Sequence, residues 1–138
     1  MVFITAEIGT NHVGSIKIAK KIIDVAVDAG CDAVKFQKKD VENIYTKEFL
    51  DSYLESPWGT TQRIMRTNRE FSLSQFKEID DYCQMKKIQW FASCWDKKSQ
   101  IDMRYFKTKF NKVASAMLVH HELLNLIAEE GKHTFIGT

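Results

Sequence analysis

The sequence predicts an α/β protein of the (β/α)8 TIM-barrel type, present as about its first four to five βα units. Two observations predict it. Apolar strand-like runs alternate with amphipathic helical ones on short connections, the pattern of right-handed crossovers and a parallel sheet. Polar residues then stand at or near the end of each run, in Ala6-Glu7-Ile8-Gly9-Thr10-Asn11-His12-Val13-Gly14, Val34-Lys35-Phe36-Gln37, Trp90-Phe91-Ala92-Ser93 and Asn111-Lys112-Val113-Ala114-Ser115. The C-terminal strand ends are where a barrel of this type gathers its reactive groups.

Each element has a local reason. Val2 to Ile8 reads as the first strand, and Ser15 as the N-cap of a helix whose Ala19, Ile22, Ile23 and Ala26 recur at helical spacing, with Gly30 to end it. Cys31 to Phe36 is a second, buried strand. Ser72 and Gln75 stand in capping-box spacing before a helix from about Leu73 to Lys86 with Phe76, Ile79 and Cys83 on one face. Ile88 to Cys94 is the third strand, Lys98 to Lys107 a shorter helix, Phe110 to Ala114 the fourth strand, Glu122 to Glu130 a helix stopped by Gly131, and Thr134 to Ile136 the start of a fifth strand.

Residues 38–71 break the pattern. They show no sustained period, yet carry Tyr45, Phe49, Tyr53, Trp58 and the single proline, Pro57. A long connection of that composition is expected to be a packed flap. Leaving the C-terminal end of the second strand, it would lie over the active-site face.

A complete barrel takes about 250 residues, so the 138 residues here are expected to form one domain, the N-terminal portion of such a barrel. An open sheet of this kind exposes unpaired edges and its inner face, expected to carry Ile4, Val34, Phe36, Phe91 or their strand neighbours. The expected partner is therefore a second copy of the chain or the rest of the barrel.

Composition narrows the function classes. With 44% hydrophobic residues and a net charge of +2 in which basic and acidic residues are interspersed, the chain shows no nucleic-acid stripe, and a small-molecule partner is expected. No apolar stretch approaches the roughly 20 residues of a membrane span, and no basic-then-apolar leader precedes the first strand, so the expected location is cytoplasmic. Cys31, Cys83 and Cys94 are widely spaced and read as reduced apolar residues. Gly9 and Gly14 resemble a phosphate loop only superficially. Ser15-Ile16 follows where a Walker loop needs lysine, and Asn11 stands where a dinucleotide fingerprint needs glycine. Both are read as turn residues, and the chemistry is left to side chains.

The stretches Ala6 to Gly14, Asp32 to Gln37, Phe91-Ala92-Ser93, Lys112 to Ser115 and Leu124-x-x-Ile127-Ala128-x-x-Gly131-Lys132 resemble, in order and spacing, the N-terminal half of the barrel domain of the sialic acid synthase (N-acetylneuraminate synthase) family. That family includes the synthases of pseudaminic and legionaminic acids. The resemblance implies condensation of phosphoenolpyruvate with an open-chain N-acetylmannosamine-like sugar to a nine-carbon 2-keto acid, with release of phosphate. It also implies a divalent metal, manganese or magnesium, whose histidine ligands come later in the barrel, and a C-terminal antifreeze-like domain that completes a partner's site in a swapped dimer. Neither is expected within these residues.

Residue by residue, the resemblance makes Lys35 and Lys112 the phosphoenolpyruvate-binding lysines, set on different strands to bracket one anion. Ser93 and Ser115 match hydroxyl donors to the same ligand, although Cys94-Trp95 follows Ser93 where many relatives have Thr-Pro. Thr138 matches the threonine of a strand-five Ser-Thr-Gly motif, with Gly137 in place of its serine. Glu7 matches the first-strand glutamate beside the sugar aldehyde, a proton-transfer or orienting group, and Gln37 a sugar-contacting amide. Asn11 and His12 are assigned to the architecture of the site, and His120, His121 and His133 show no metal-ligand spacing. A second reading, of a different class, is a non-catalytic half-barrel that acts as a self-associating or binding module.

Overall fold

In a computed structural model, which describes residues 2–138, strand β1 (Thr5–Gly9) leads into helix α1 (Ile16–Asp28) and β2 (Ala33–Lys38). The chain continues through α2 (Val41–Ile44), α3 (Lys47–Asp51), β3 (Tyr53–Ser56), β4 (Gly59–Thr61) and α4 (Gln62–Asn68) to α5 (Leu73–Lys86) and β5 (Gln89–Cys94). Helix α6 (Lys97–Met103), β6 (Phe110–Val113), α7 (His121–Ala128) and β7 (His133–Ile136) follow. Strands β1, β2, β5, β6 and β7 form one parallel sheet in that order, while β3 and β4 form a separate antiparallel hairpin.

An order that never reverses places each new strand at the same growing edge, as in a barrel and unlike a doubly wound sheet, whose order switches direction. Capping fixes where helices start. Ser15 accepts from the Ile18 amide at α1, and Ser72 and Gln75 form a reciprocal capping box at α5. The apolar stripes of α1 and α5 bury Ala19, Ile23, Phe76, Ile79 and Cys83 against Ile8, Val34, Phe36 and Trp90 of the sheet. Phe36 is the hub, in edge-to-face contact with Phe76 and Trp90. Each fully buried aliphatic or aromatic side chain in this layer contributes about 1.5–3 kcal/mol.

Strand alternation corrects the expected composition of the opposite, inner face. Successive residues of a strand point to opposite faces, and Val34 and Phe36 face the helix layer. Ile4 precedes β1, and its amide donates to the Asp32 carboxylate at 2.7 Å. Of the residues expected inside, Phe91 lies there, edge-to-face with Phe110 and stacked on Phe135, in a second cluster that includes Ala33, the strand neighbour of Val34. Phe3 extends this cluster, its ring 5.1 Å from that of Phe110. The inner face is thus aromatic toward the N-terminal strand ends and polar toward the C-terminal ones.

Residues 38–71, expected to lack regular structure, contain α2, α3, the β3–β4 hairpin and α4. These elements are too short for a helical or strand period to accumulate. The flap is anchored to the sheet by Lys38 Nζ donating to the Phe71 carbonyl, the Lys39 amide donating to Glu70, and the Asp40 amide donating to Asp96 at 2.7 Å. Smaller differences sit at element ends. β1 starts at Thr5, β2 runs to Lys38, and the helix expected to reach Lys107 ends at Met103 and tightens into a 3-10 turn over Arg104–Phe106.

Candidate functional site

The inner-face register gathers the polar residues. Glu7 pairs across the sheet with Lys35, Gln37 with Ser93, and Ser93 in turn with Lys112. A concave pocket of about 210 Å³ on this face is lined by Thr5, Glu7, Lys35, Phe91, Lys112 and Phe135. One carboxylate and two ammonium groups therefore converge over an aromatic floor.

Lys35 is 7% exposed, yet its Nζ reaches Glu7 Oε2 at 2.7 Å, and the Glu7 side chain remains half open to solvent. Burial without that partner would be costly. Lys112 donates from Nζ to the Val113 carbonyl at 2.8 Å and has no carboxylate within ion-pair distance among the described residues. Its ammonium is held below the usual lysine range, first by burial and then by repulsion from Lys35, with Glu7 pulling the other way. Two cations that repel each other against a single carboxylate leave an excess positive charge, which an anionic ligand would satisfy.

Backbone geometry holds this cluster open. Between Glu7 and Gly9 the β1–β2 register slips, so that Gly9 rather than Ile8 faces Phe36 across the ladder, and such a bulge bends the strand end. Gly9 has φ +55°, and a Cβ there would stand 3.0 Å from Glu7 Oε1 and 3.4 Å from Gln37 Nε2. Gly137 packs its backbone on β6 through a 2.9 Å bond from its amide to the Val113 carbonyl. A Cβ at that position would fall 2.6 Å from Lys112 Nζ, so the absent side chain is what lets the ammonium lie where it does. Nothing in the composition around Gly137 signals this. Only the spatial neighbour does.

The structure brings Glu7, Lys35, Gln37, Ser93 and Lys112 to one face. Ser93 is buried, its hydroxyl donating to the Lys112 carbonyl at 3.3 Å. Ser115 and Thr138 lie at the margin of the cluster, beside the Gly137 backbone against which the Lys112 ammonium packs. Ser115 opens an exposed 3-10 turn over Ser115–Met117, and Thr138 lies exposed beyond the end of β7.

His12 is buried and stacked on Phe71 with ring centroids 3.9 Å apart, and its Nδ1 accepts from the Gly14 amide at 3.1 Å. Burial, and then the nearby Arg69 charge, push its imidazole down to about 4, so it is neutral at pH 7. His120 Nδ1 accepts from the Leu123 amide as the N-cap of α7. Among the described residues no three His, Cys, Asp or Glu side chains come together as a metal site. Cys83 and Cys94 are buried free thiols pushed up by burial, Cys83 to about 12, and are not activated nucleophiles. No helix among the described residues is long and apolar enough to cross a membrane.

Comparison with known proteins places this geometry in context. Residues 22–138 match the model of the NeuB family. The chain is 35% identical over 139 residues to N-acetylneuraminate-9-phosphate synthase of Drosophila melanogaster, covering 99% of the chain and 37% of that protein. It is 33% identical over 138 residues to the enzyme of the same name from Mus musculus, covering 38% of it. Among solved structures, the N-acetylneuraminic acid (sialic acid) synthetase of Leptospira borgpetersenii serovar Hardjo-bovis, in complex with citrate, superimposes with a TM-score of 0.82 at 26% identity over 98% of this chain and 44% of that one. The chain thus spans less than half the length of these relatives, within a fold of TIM-barrel type.

Proposed function

The chain belongs to the NeuB family, and from that premise we propose that it carries the phosphoenolpyruvate-binding half of a nonulosonic (sialic) acid synthase. The reaction joins C3 of phosphoenolpyruvate to the aldehyde carbon of an N-acetylmannosamine-like sugar. Water adds at C2 and phosphate leaves, so that the former aldehyde oxygen ends as a hydroxyl and C2 as a ketone. The observation that carries this reading is the convergence of Lys35 and Lys112 from separate strands on one pocket in which Glu7 is the one carboxylate among the described residues.

In this reading the two ammonium groups bracket the carboxylate and phosphate of the ligand, whose negative charge replaces their mutual repulsion with attraction. Ser93 lies behind them. Glu7, paired to Lys35 on one side and open to solvent on the other, stands at the strand end where the sugar aldehyde would approach, oriented to hold or pass a proton there. Gln37, flanking Gly9 opposite Glu7, offers an amide to the sugar. The aromatic floor of Phe91 and Phe135 keeps one side of the pocket dry, which strengthens the charge–charge contacts above it. Ser115 and Thr138, beside Gly137 next to the Lys112 ammonium, enter this proposal as hydroxyl donors to the same ligand. The occupant of the uncovered inner face, either the remaining barrel or a second copy, belongs to the same proposal.

The test is protection of lysine amines. Phosphoenolpyruvate is expected to slow labelling of Lys35 and Lys112, and Lys112→Ala to weaken its binding by the roughly 1.5–3 kcal/mol of a charge-assisted contact. Equal labelling with and without the ligand overturns the reading.

A further inference from the structure

A second set of cations lies outside that site, between the flap and the end of β1. Lys39, Arg66 and Arg69 line a cavity of about 50 Å³ together with Thr10, Tyr45 and Glu70. At about 10–15 Å³ per water position this holds roughly three to five waters, the scale of one tetrahedral oxyanion. None of the three cations has a carboxylate within ion-pair distance among the described residues, whereas Arg63, Lys77, Lys86 and Arg104 elsewhere all do.

Their existing contacts leave donors free. Arg66 bonds Gln62 Oε1 at 3.1 Å and the Tyr45 hydroxyl at 2.9 Å, its guanidinium lying over the Tyr45 and Phe49 rings. Arg69 reaches Thr10 Oγ1 at 2.8 Å, the Thr10 carbonyl at 3.3 Å and the Met65 sulfur, while its Nε is buried with no partner. Lys39 places Nζ 3.8 Å over the Trp95 ring. Glu70 accepts from the Lys39 amide and lies 3.8 Å from Lys38 Nζ, so its charge is turned toward β2. Burial, and then repulsion from Arg66 and Arg69 against the pull of Glu70, hold the Lys39 ammonium below its usual range. Three crowded cations and an orphaned, buried guanidinium N–H are costly without a ligand.

We propose that this cavity is a second oxyanion site, separate from the Lys35–Lys112 pocket, that takes a phosphate group through Lys39, Arg66 and Arg69. Its position, closed on one side by the flap and on the other by Thr10 at the end of β1, puts it on the same C-terminal side of the sheet as Glu7. The phosphate is either free or carried as a monoester on the sugar. The assignment stands on the cavity and its cations and does not require the phosphoenolpyruvate reading.

The experiment is calorimetric titration of the full chain in a Lys112→Ala background, which disables the first pocket, using inorganic phosphate, N-acetylmannosamine and N-acetylmannosamine 6-phosphate. Phosphate is expected to bind one site, with affinity falling about tenfold or more in Lys39→Gln and in Arg66→Gln, as for loss of a charge-assisted contact. The Arg69 Nε–H resonance is expected to move on binding. Tighter binding of the sugar phosphate than of inorganic phosphate identifies a monoester, and equal binding identifies the free ion. No binding up to millimolar phosphate, or binding unchanged in both variants, overturns the proposal. In the unsubstituted chain, labelling of Lys35 and Lys112 that phosphoenolpyruvate leaves unchanged, with phosphate binding intact, would overturn the first reading alone.

Discussion

Glu7 and Lys35 face each other across the first parallel strand pair, and the 2.7 Å contact between their side chains is one-sided: the lysine is buried and the carboxylate half exposed. Glu7 is therefore the adjustable member. It neutralises Lys35 and at the same time raises the Lys112 ammonium that Lys35 lowers.

Replacing Glu7 by Gln removes the one negative charge that the described residues bring to the lining of this pocket. The Lys112 titration midpoint is expected to move further below the usual lysine value, because burial and Lys35 then act unopposed. Affinity for a small anion is expected to rise, since a competing carboxylate is gone. Stability should fall by about 1–3 kcal/mol, because the buried Lys35 ammonium loses its charged partner and keeps only an amide oxygen as acceptor. Lys112 labelling rates as a function of pH read the midpoint directly, and an unshifted midpoint contradicts the coupling.

Gly137→Ser tests whether the missing side chain sets the Lys112 geometry. The new Cβ would stand 2.6 Å from Nζ, the far end of a flexible chain, so the ammonium swings away from the Val113 carbonyl while the backbone holds. Unfolding free energy is expected to change by less than about 1 kcal/mol, with Lys112 amine labelling altered at least about twofold, a size set by the loss of one modest hydrogen bond. A large stability loss with unchanged labelling would mean that Gly137 serves the backbone instead.

The alternation of strands and helices was legible because each repeats a period: the Ala19, Ile23 and Ala26 stripe, and the Ser72–Gln75 box with the Phe76, Ile79 and Cys83 stripe behind it. The positions of Glu7, Lys35 and Lys112 at strand ends were legible for the same reason, and the register that unites them follows from strand order. Val34 and Phe36 alternate with Lys35 and Gln37, so the phase that sends the lysine and the glutamine inward sends these two to the helix layer and leaves their strand neighbours to line the inner face. The flap was opaque since its helices are only four to seven residues long. Lys39, Arg66 and Arg69, spread over 31 positions, gave no local sign of meeting, and Gly137 gave none of its contact with Lys112.

Asp96 ties the flap to the connection between β5 and α6. Its buried carboxylate caps α6, accepting from the Ser99 amide at 2.7 Å and the Ser99 hydroxyl at 2.6 Å, and also accepts from the Asp40 amide. Asp96→Ala orphans these three donors and is expected to cost about 3 kcal/mol or more at about 1–3 kcal/mol for each unsatisfied group. Hydrogen exchange at the Asp40 amide should accelerate beyond what the global loss explains, while Phe36 in the strand follows the global value. Exchange at Asp40 that merely tracks Phe36 would show that the flap is held elsewhere.

The buried imidazole of His12 makes stability depend on pH in a window of its own. Its folded value is about 4 against an ordinary 6.5, so between those limits the unfolded chain binds a proton that the folded chain refuses. Stability must then rise with pH across the window and fall on acidification from about 6.5 toward 4. At pH 4.5 the loss relative to pH 7 is about 2–3 kcal/mol at 1.36 kcal/mol per unit. Two carboxyls act nearby. Burial alone would raise Glu130, but bonds from Lys132, Gln100, Arg104 and Asn111 hold it at about 2, so its stabilisation is lost only below about 4.5. Glu70, raised by burial, works in the opposite sense to His12. The comparison that isolates His12 is His12→Gln, which keeps an acceptor for the Gly14 amide and cannot titrate. Urea unfolding at pH 7 and pH 4.5 should show the variant losing about 2–3 kcal/mol less than the parent over that interval. Parallel losses in the two proteins would mean that His12 protonates in the fold without cost, against its stacking on Phe71 and its proximity to Arg69.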